Sequence, residues 1–198
     1  MKMKRWDIIN AIGEKYGNTD YLEIGLDSGI CRDNVKAVNK TTVDPLDKTD
    51  NPTHLMTSDK FFASNRDKFD VIFIDGLHEA PQAYKDILNA LECLKDGGTI
   101  LCHDMLPTSE EVQAVPRIST LWTGDGWKSW AKLRGSREDL EMYIVQDDWG
   151  VGVIRKGKQE IHEELNITLA EMDWSFYCEH KHKFNYISGG QFLERMKE

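Results

Sequence analysis

Two short clusters of ionisable residues each follow an apolar run of the chain. Asp75 and His78 come after residues 69–74, and His103 and Asp104 come after residues 99–102. If these runs are neighbouring parallel strands, their backbones lie about 4.8 Å apart and both clusters face one point. Carboxylates suit a hard cation such as Mg²⁺, and an imidazole can accept a proton near neutral pH. The pattern predicts Asp75, His103 and Asp104 as metal ligands, with His78 and Asp75 as the catalytic pair.

Each of these residues also has a purely structural explanation. Asp75 could cap the following helix or hydrogen-bond the amino group of a ligand, and His103 could satisfy neighbouring backbone groups. His78 could be a polar residue at the start of a helix. The residues alone leave both explanations open.

A glycine-containing turn follows an earlier apolar run, and residues 23–29 read Glu-Ile-Gly-Leu-Asp-Ser-Gly. In the G-x-G-x-x-G turn of dinucleotide-binding proteins, the second glycine lets the backbone approach a pyrophosphate. Here that position holds Asp27, whose carboxylate would repel a pyrophosphate but attract the sulfonium and ammonium groups of S-adenosylmethionine. The turn, with Glu23, Gly25, Asp27 and Gly29, therefore favours S-adenosylmethionine over NAD.

Further polar residues end the next two predicted strands. Asp44 lies nineteen positions after Gly25, where a carboxylate can accept hydrogen bonds from both ribose hydroxyls of an adenosine. Ser58 and Asp59 follow a weaker strand, and together with Asp75 they complete the predicted cofactor site. The alternative is that Gly25 only makes a tight turn and that Asp44 is a solvated strand end.

Strands that alternate with helices must position these residues. Residues 69–74 and 99–102 are short apolar strands, and Pro81 begins a helix whose apolar stripe reaches Leu94 and which Gly97 and Gly98 close. Repeated strand–helix–strand units predict an α/β, Rossmann-like, doubly wound and mostly parallel sheet. Asp147 and Asp148 mark a hairpin between residues 140–146 and 149–155.

The chain of 198 residues is predicted to form a single domain. An N-terminal helix is expected within residues 1–17, the core within 20–155 and a helical tail within 157–198. Residues 105–135 carry Pro107, Pro116 and three tryptophans, which suggests a lid or substrate loop.

The composition limits the classes of binding partner that the protein can have. A formal net charge of −9 argues against a nucleic-acid or anionic membrane partner, and no segment approaches the roughly 20 apolar residues of a membrane span. Four cysteines without a metal-binding spacing, and no signal peptide, indicate a reducing cytoplasm. We expect a small-molecule acceptor, and a homo-oligomer is compatible with the sequence.

The motifs together resemble the class I S-adenosylmethionine-dependent methyltransferases. The branch that they resemble most contains the macrocin-type sugar O-methyltransferases and the cephalosporin hydroxylase-like proteins. The likeness rests on residues 21–25, 43–45, 57–62, 69–78, 97–104, 124–128 and 148–154. It implies a seven-stranded sheet with the last strand antiparallel and methyl transfer to a hydroxyl, with a sugar or glycan precursor as the acceptor.

The resemblance also implies residue roles. The donor would lie between Glu23, Gly25, Asp44, the Ser58–Asp59 pair and Asp75, and His78 would be the base. In metal-dependent members, the position of Asp75 and an acidic pair after the fifth strand bind Mg²⁺. Here His103 stands at the first position of that pair, so a nitrogen replaces one hard oxygen ligand.

Two other functions remain as alternatives at this point. One is an NAD-linked sugar-modifying enzyme on a similar sheet, against which Asp27 argues. The other is a non-catalytic methyltransferase-like module that only binds the donor.

Overall fold

The computed structural model describes residues 2–48 and 52–198, which build one mixed sheet of eight strands. The strands are β1 (Asp20–Ile24), β2 (Asn39–Asp44), β3 (His54–Leu55), β4 (Phe69–Ile74), β5 (Leu94–Cys102), β6 (Leu140–Val145), β7 (Val151–Lys156) and β8 (Tyr186–Ile187). Their order across the sheet is β3-β2-β1-β4-β5-β7-β6-β8.

Helices connect the strands and cover both faces of the sheet. They are α1 (Arg5–Tyr16), α2 (Ile30–Asn34), α3 (Ser58–Ser64), α4 (Ala80–Cys93), α5 (Glu110–Gln113), α6 (Trp127–Arg134), α7 (Trp174–His180) and α8 (Gly189–Lys197). Two single 3₁₀ turns, Glu163–Leu165 and Lys181–Lys183, lie in the C-terminal part.

Strand directions confirm the predicted fold class. Strands β3, β2, β1, β4 and β5 pair in parallel, whereas β7 is antiparallel to both β5 and β6. The prediction of seven strands was one too few, because the two-residue strand β8 adds to the edge beside β6. So short a strand carries no recognisable periodicity.

The position of strand β4 in the sheet explains why its sequence is almost wholly apolar. Successive side chains of a strand point to opposite faces of the sheet. Ile72 and Ile74 enter the core on the side of α4 and α6, whereas Val71 and Phe73 enter the core on the side of α1 and α8. A strand covered on both faces must be apolar at nearly every position.

The predicted end of α4 was wrong. The helix ends at Cys93, and Gly97 and Gly98 belong to strand β5, which already begins at Leu94. Leu94 is buried and pairs with Phe69, so tertiary packing draws this segment into the sheet before the glycines.

The region 105–135 is only partly exposed. Trp127 and Trp130 on α6 are fully buried in the core, whereas residues 115–118 and 120–121 are exposed. The role of this region as a lid, like the predicted domain boundaries, stays a prediction.

Two further features concern the environment of the chain. All four cysteines are free, and only Cys178 is exposed. Within residues 2–48 and 52–198, none of the helices has both the length and the apolar character needed to span a bilayer.

Candidate active site

The two predicted clusters meet at the carboxyl ends of β4 and β5. Ile74 pairs with Cys102 in parallel register, so Asp75 and His103 leave the sheet side by side. Nδ1 of His103 lies 3.1 Å from Oδ1 of Asp75. The structure therefore brings together the residues that the sequence placed at one point.

His78 contacts the carboxylates of both strand ends. Its Nδ1 lies 3.0 Å from Oδ2 of Asp104, and its Nε2 lies 3.5 Å from Oδ1 of Asp75. Burial of the imidazole lowers its pKa, but the hydrogen bond to Asp104 and the charges of Asp75 and Asp104 outweigh burial and raise it. His78 is therefore an oriented imidazole with one ring nitrogen fixed by a carboxylate.

His103 lies beneath this pair and is only 4% exposed. Its Nε2 lies 2.8 Å from the carbonyl oxygen of Asp148 and must carry hydrogen, because a carbonyl only accepts. Burial lowers the pKa of His103, yet Asp75 and Asp104 together raise it to about 10. Burial raises the pKa of Asp75, and the charge of His103 and its hydrogen bond to Asp75 lower it.

Arg5 of α1 also enters the site. Its Nη1 lies 2.6 Å from Oδ2 of Asp75, and its Nε lies 3.1 Å from Oδ2 of Asp148. The backbone N–H of Arg5 donates to the same Asp148 oxygen at 2.8 Å. One arginine therefore joins the end of β4 to the turn between β6 and β7.

A cleft of about 340 Å³ opens beside these groups. Arg5, Asp75 and His78 form part of its charged wall, and Trp122 and Trp149 contribute aromatic surface. The ring centroids of Trp122 and His78 are 5.6 Å apart. The cleft thus combines a polar floor with aromatic sides, as small-molecule sites commonly do.

A tight loop holds the backbone of His78 in place. The N–H of Asp125 donates to the carbonyl of His78 at 3.0 Å, and Oδ1 of Asp125 accepts from the N–H of Ala80 at 2.7 Å. Gly124 has φ +64°, and a Cβ there would lie 1.9 Å from the His78 carbonyl oxygen. Residues 124–128 carry part of the resemblance and lie in the predicted lid or substrate loop, but their contact with the backbone of His78 was not predicted, since it depends on tertiary packing.

The glycine turn forms a second polar group. Gly25 has φ +88°, and a Cβ there would lie 2.1 Å from the carbonyl oxygen of Asp75. Oδ2 of Asp44 accepts from the N–H groups of Leu26 and Asp27 at 2.9 and 3.2 Å, and its Oδ1 accepts from Leu46 at 2.8 Å. Asp44 therefore shapes the turn, and the turn contacts the end of β4.

The other predicted donor-site residues differ in their surroundings. Glu23 is 1% exposed and accepts from the Tyr21 hydroxyl at 2.6 Å, and burial raises its pKa to about 8. Asp27 lies at the rim of the cleft and forms an ion pair with Lys48 at 3.0 Å. Gly29, with φ +72°, precedes the first residue of α2.

Ser58 and Asp59 belong to a separate network. Nε2 of Gln82 donates to Ser58 Oγ at 3.2 Å and to Asp59 Oδ1 at 3.1 Å. Lys85 pairs with the other Asp59 oxygen at 2.8 Å. These contacts tie α3 to α4 and do not reach the group around Asp75.

Comparison with known proteins shows what this arrangement is similar to. Residues 22–105 match the family model described as a methyltransferase domain. This part of the chain is therefore similar to a methyltransferase domain. The matched segment begins in β1 and ends just after β5, so it includes the glycine turn, Asp75, His78 and Asp104. No curated protein sequence matches the chain.

Solved structures agree on the fold. The chain resembles the O-methyltransferase TomG from Streptomyces achromogenes with a TM-score of 0.60 and 11% identity, over 77% of this chain and 79% of that one. A putative caffeoyl-CoA O-methyltransferase from Staphylococcus aureus gives 0.55 and 17%, over 78% and 85%. An O-methyltransferase from Bacillus cereus gives 0.55 and 13%, over 78% and 82%. The predicted class I methyltransferase fold is confirmed.

The side chains predicted to bind a metal ion already contact positively charged or imidazole groups. Ligand atoms of Asp75, His78 and Asp104 lie within 4.8 Å of one another, a set that contains His78 in place of the predicted His103. However, Arg5 and His103 already bind the two oxygens of Asp75, and His78 and His103 contact those of Asp104. A guanidinium 2.6 Å from a ligand oxygen opposes a dication there, so the residues as arranged do not fit a metal ion.

Two residues at the site, Arg5 and Asp148, were not predicted from the sequence as site residues. Arg5 sits in a mixed N-terminal run with no motif, and Asp148 was noted only as part of a hairpin. Their role arises because α1 packs beside the turn between β6 and β7. The sequence offered one indication, which is that Asp148 begins the last segment of the resemblance, residues 148–154.

Proposed function

We propose that this protein transfers the methyl group of S-adenosylmethionine to a hydroxyl of a small-molecule acceptor. The observation that carries the proposal is the placement of His78 in the cleft, with Nδ1 held 3.0 Å from Asp104. An imidazole fixed in this way presents its second nitrogen for one proton. A hydroxyl becomes a good nucleophile only when such a group takes its proton.

The donor is assigned to the glycine turn beside Asp75. Because Gly25 has no Cβ, its backbone lies close to the backbone of Asp75 at the end of β4. Asp44 fixes the N–H groups of the turn. The carboxylates of Asp27 and Asp75 line the neighbouring cleft and suit a cationic ligand. The TomG structure contains S-adenosylmethionine, and the Bacillus cereus structure contains S-adenosylhomocysteine, which supports the same class of donor here.

When bound, the donor supplies an electrophilic methyl group on a sulfonium. The protein contributes alignment and exclusion of water, because methyl transfer needs the acceptor oxygen in line with the methyl group and sulfur. His78 accepts the hydroxyl proton, and Asp104 stabilises the resulting imidazolium. The ring of Trp122 is tilted by 49° against the His78 ring at 5.6 Å and adds apolar surface beside the proposed base.

For the acceptor, we infer a ring-bearing small molecule, with a sugar as the first choice. The cleft of about 340 Å³ is near the lower end of ligand-site volumes, and Trp122 and Trp149 offer flat surfaces for a ring. Arg5 and Asp27 add polar groups for hydroxyls at the rim. An NAD-linked reaction has no comparable support, since Asp27 stands where a pyrophosphate would need glycine.

The experiment is a turnover assay with S-adenosylmethionine and a panel of sugars, nucleotide sugars and phenols, with detection of S-adenosylhomocysteine. His78→Ala is expected to lose turnover by roughly 100-fold or more while donor binding in calorimetry is kept. The matched control is His182→Ala, since His182 is exposed on the C-terminal tail. Absence of donor binding by the wild-type protein would contradict the proposal, and full turnover by His78→Ala would contradict the role of the base.

A further inference from the structure

The first residues of the chain are fixed to the turn between β6 and β7. The N–H of Met3 donates to Asp147 at 3.3 Å, and the N–H of Arg5 donates to Asp148 at 2.8 Å. Arg5 begins α1, whose Ile8, Ile9 and Ile12 are fully buried. The guanidinium therefore reaches the cleft from a rigid element and not from a loose terminus.

The Arg5 side chain bridges two carboxylates that are themselves well buried. Its side chain is 27% exposed, against 15% for Asp75 and 7% for Asp148. An ion pair at this depth is screened less than a surface pair, and removal of one partner leaves an uncompensated charge. Arg5 is accordingly a half-buried residue of the site and not an isolated surface charge.

The position of the guanidinium is the decisive point. Asp75, His78 and Asp104 have the spacing of a three-ligand metal site, yet the outward oxygen of Asp75 is bound by Arg5 at 2.6 Å. His103 contacts the other Asp75 oxygen at 3.1 Å and Asp104 at 3.2 Å. The side chains of Arg5 and His103 thus contact the oxygens with which the carboxylates would bind a divalent ion.

We propose that Arg5 is a positioning residue that occupies the cation position of the site, so that this protein needs no divalent metal ion. Arg5 holds Asp75 between His103 and His78 and supplies the positive charge that a metal would supply. The role of Arg5 in catalysis rests on the proposed function. The prediction that no divalent metal ion binds is independent of the proposed function, because metal binding is measured without donor and acceptor.

The test is a titration of the full chain with Mn²⁺, with the free ion followed by electron paramagnetic resonance. The wild-type protein is expected to show no stoichiometric site. Arg5→Gln frees Asp75 and is expected to bind about one Mn²⁺ per chain, at least about tenfold more tightly than the wild type. The double variant Arg5→Gln/Asp75→Asn is expected to lose this site again.

Lys4→Gln is the matched control. It removes one positive charge from the neighbouring position, where Lys4 lies 3.8 Å from Asp148 and does not contact Asp75. It should therefore resemble the wild type. A Mn²⁺ site gained equally by Lys4→Gln would show a general charge effect and would overturn the role of Arg5.

Two other results would also overturn the proposal. One is stoichiometric Mn²⁺ binding by the wild type that Asp75→Asn removes, and the other is a folded Arg5→Gln variant that gains no site. If Arg5→Gln does not fold, Arg5→Gln/Asp148→Asn replaces it, since this variant leaves no unpaired charge at position 148. Donor binding, measured separately, reports on the proposed function, so the two failures can be told apart.

Discussion

Nδ1 of His78 lies 3.0 Å from Oδ2 of Asp104, although the two residues follow different strands of the sheet. The contact exists because β4 and β5 pair in parallel and end at the same edge. Burial raises the pKa of Asp104, but the hydrogen bonds to His103 and His78 and the charges of these two residues outweigh burial and lower it well below its usual range. Asp104 is thus a carboxylate at any pH at which His78 titrates.

Asp104→Asn is expected to move the pH dependence of turnover. The pKa of His78 is raised in the folded protein by Asp104 and Asp75 against the effect of burial, and a base must be deprotonated to act. Turnover therefore falls as the pH drops through this raised pKa. Loss of the Asp104 charge and hydrogen bond lowers the pKa of His78, so the acidic limb of kcat/KM should shift to lower pH.

The same substitution should reduce the maximal rate roughly tenfold or more, because His78 loses the group that stabilises its protonated form. The measurement is kcat/KM across the pH range with the acceptor found in the turnover assay. Asp33→Asn is the control, since Asp33 is exposed and pairs with Arg32 away from the cleft. An acidic limb that stays in place in Asp104→Asn would refute the coupling.

The sequence was sufficient for much of the site because strand ends are local features. Apolar runs predicted β4 and β5, and the parallel arrangement then placed Asp75 beside Asp104 without any tertiary information. The same argument could not find Arg5, which reaches the site only because α1 crosses to the turn between β6 and β7. It also could not find the contacts of Ser58 and Asp59 with Gln82, since these depend on how α3 packs on α4.

Asp125→Ala is expected to lower both stability and turnover. Asp125 accepts from the first N–H of α4 at 2.7 Å, and its backbone fixes the His78 carbonyl. Loss of this cap should cost about 1–2 kcal/mol in the free energy of unfolding. Since α4 begins two residues after His78, displacement of its first turn should also reduce kcat by roughly tenfold, with donor affinity unchanged.

Asp173→Ala is the matched control for this prediction. Asp173 caps α7 by accepting from the N–H of Phe176 at 2.8 Å, far along the chain from the cleft residues. Urea unfolding should show a loss of stability of similar size, about 1 kcal/mol, while kcat is kept. If both variants lost turnover equally, the effect of Asp125 would be one of stability and not of position.

Gly25→Ala should disrupt the donor side of the site more than the substitution of another glycine with a positive φ. Both Gly25 and Gly17 have positive φ, at +88° and +97°. A Cβ at Gly17 would meet nothing within 4 Å, so Gly17→Ala should cost only backbone strain, about 1–3 kcal/mol. A Cβ at Gly25 would lie 2.1 Å from the Asp75 carbonyl oxygen, and a backbone atom at the end of a buried strand cannot move aside cheaply.

We therefore expect Gly25→Ala to cost roughly 3 kcal/mol or more in urea unfolding and to abolish calorimetric binding of S-adenosylmethionine. Gly17→Ala should bind the donor as the wild type does. The comparison separates the effect of the close contact with Asp75 from the effect of backbone conformation, because Gly25 contacts the end of β4 and Gly17 does not. Wild-type donor affinity in a folded Gly25→Ala variant would mean that the donor does not use this turn, and the acidic edge around Asp75 would then need another ligand.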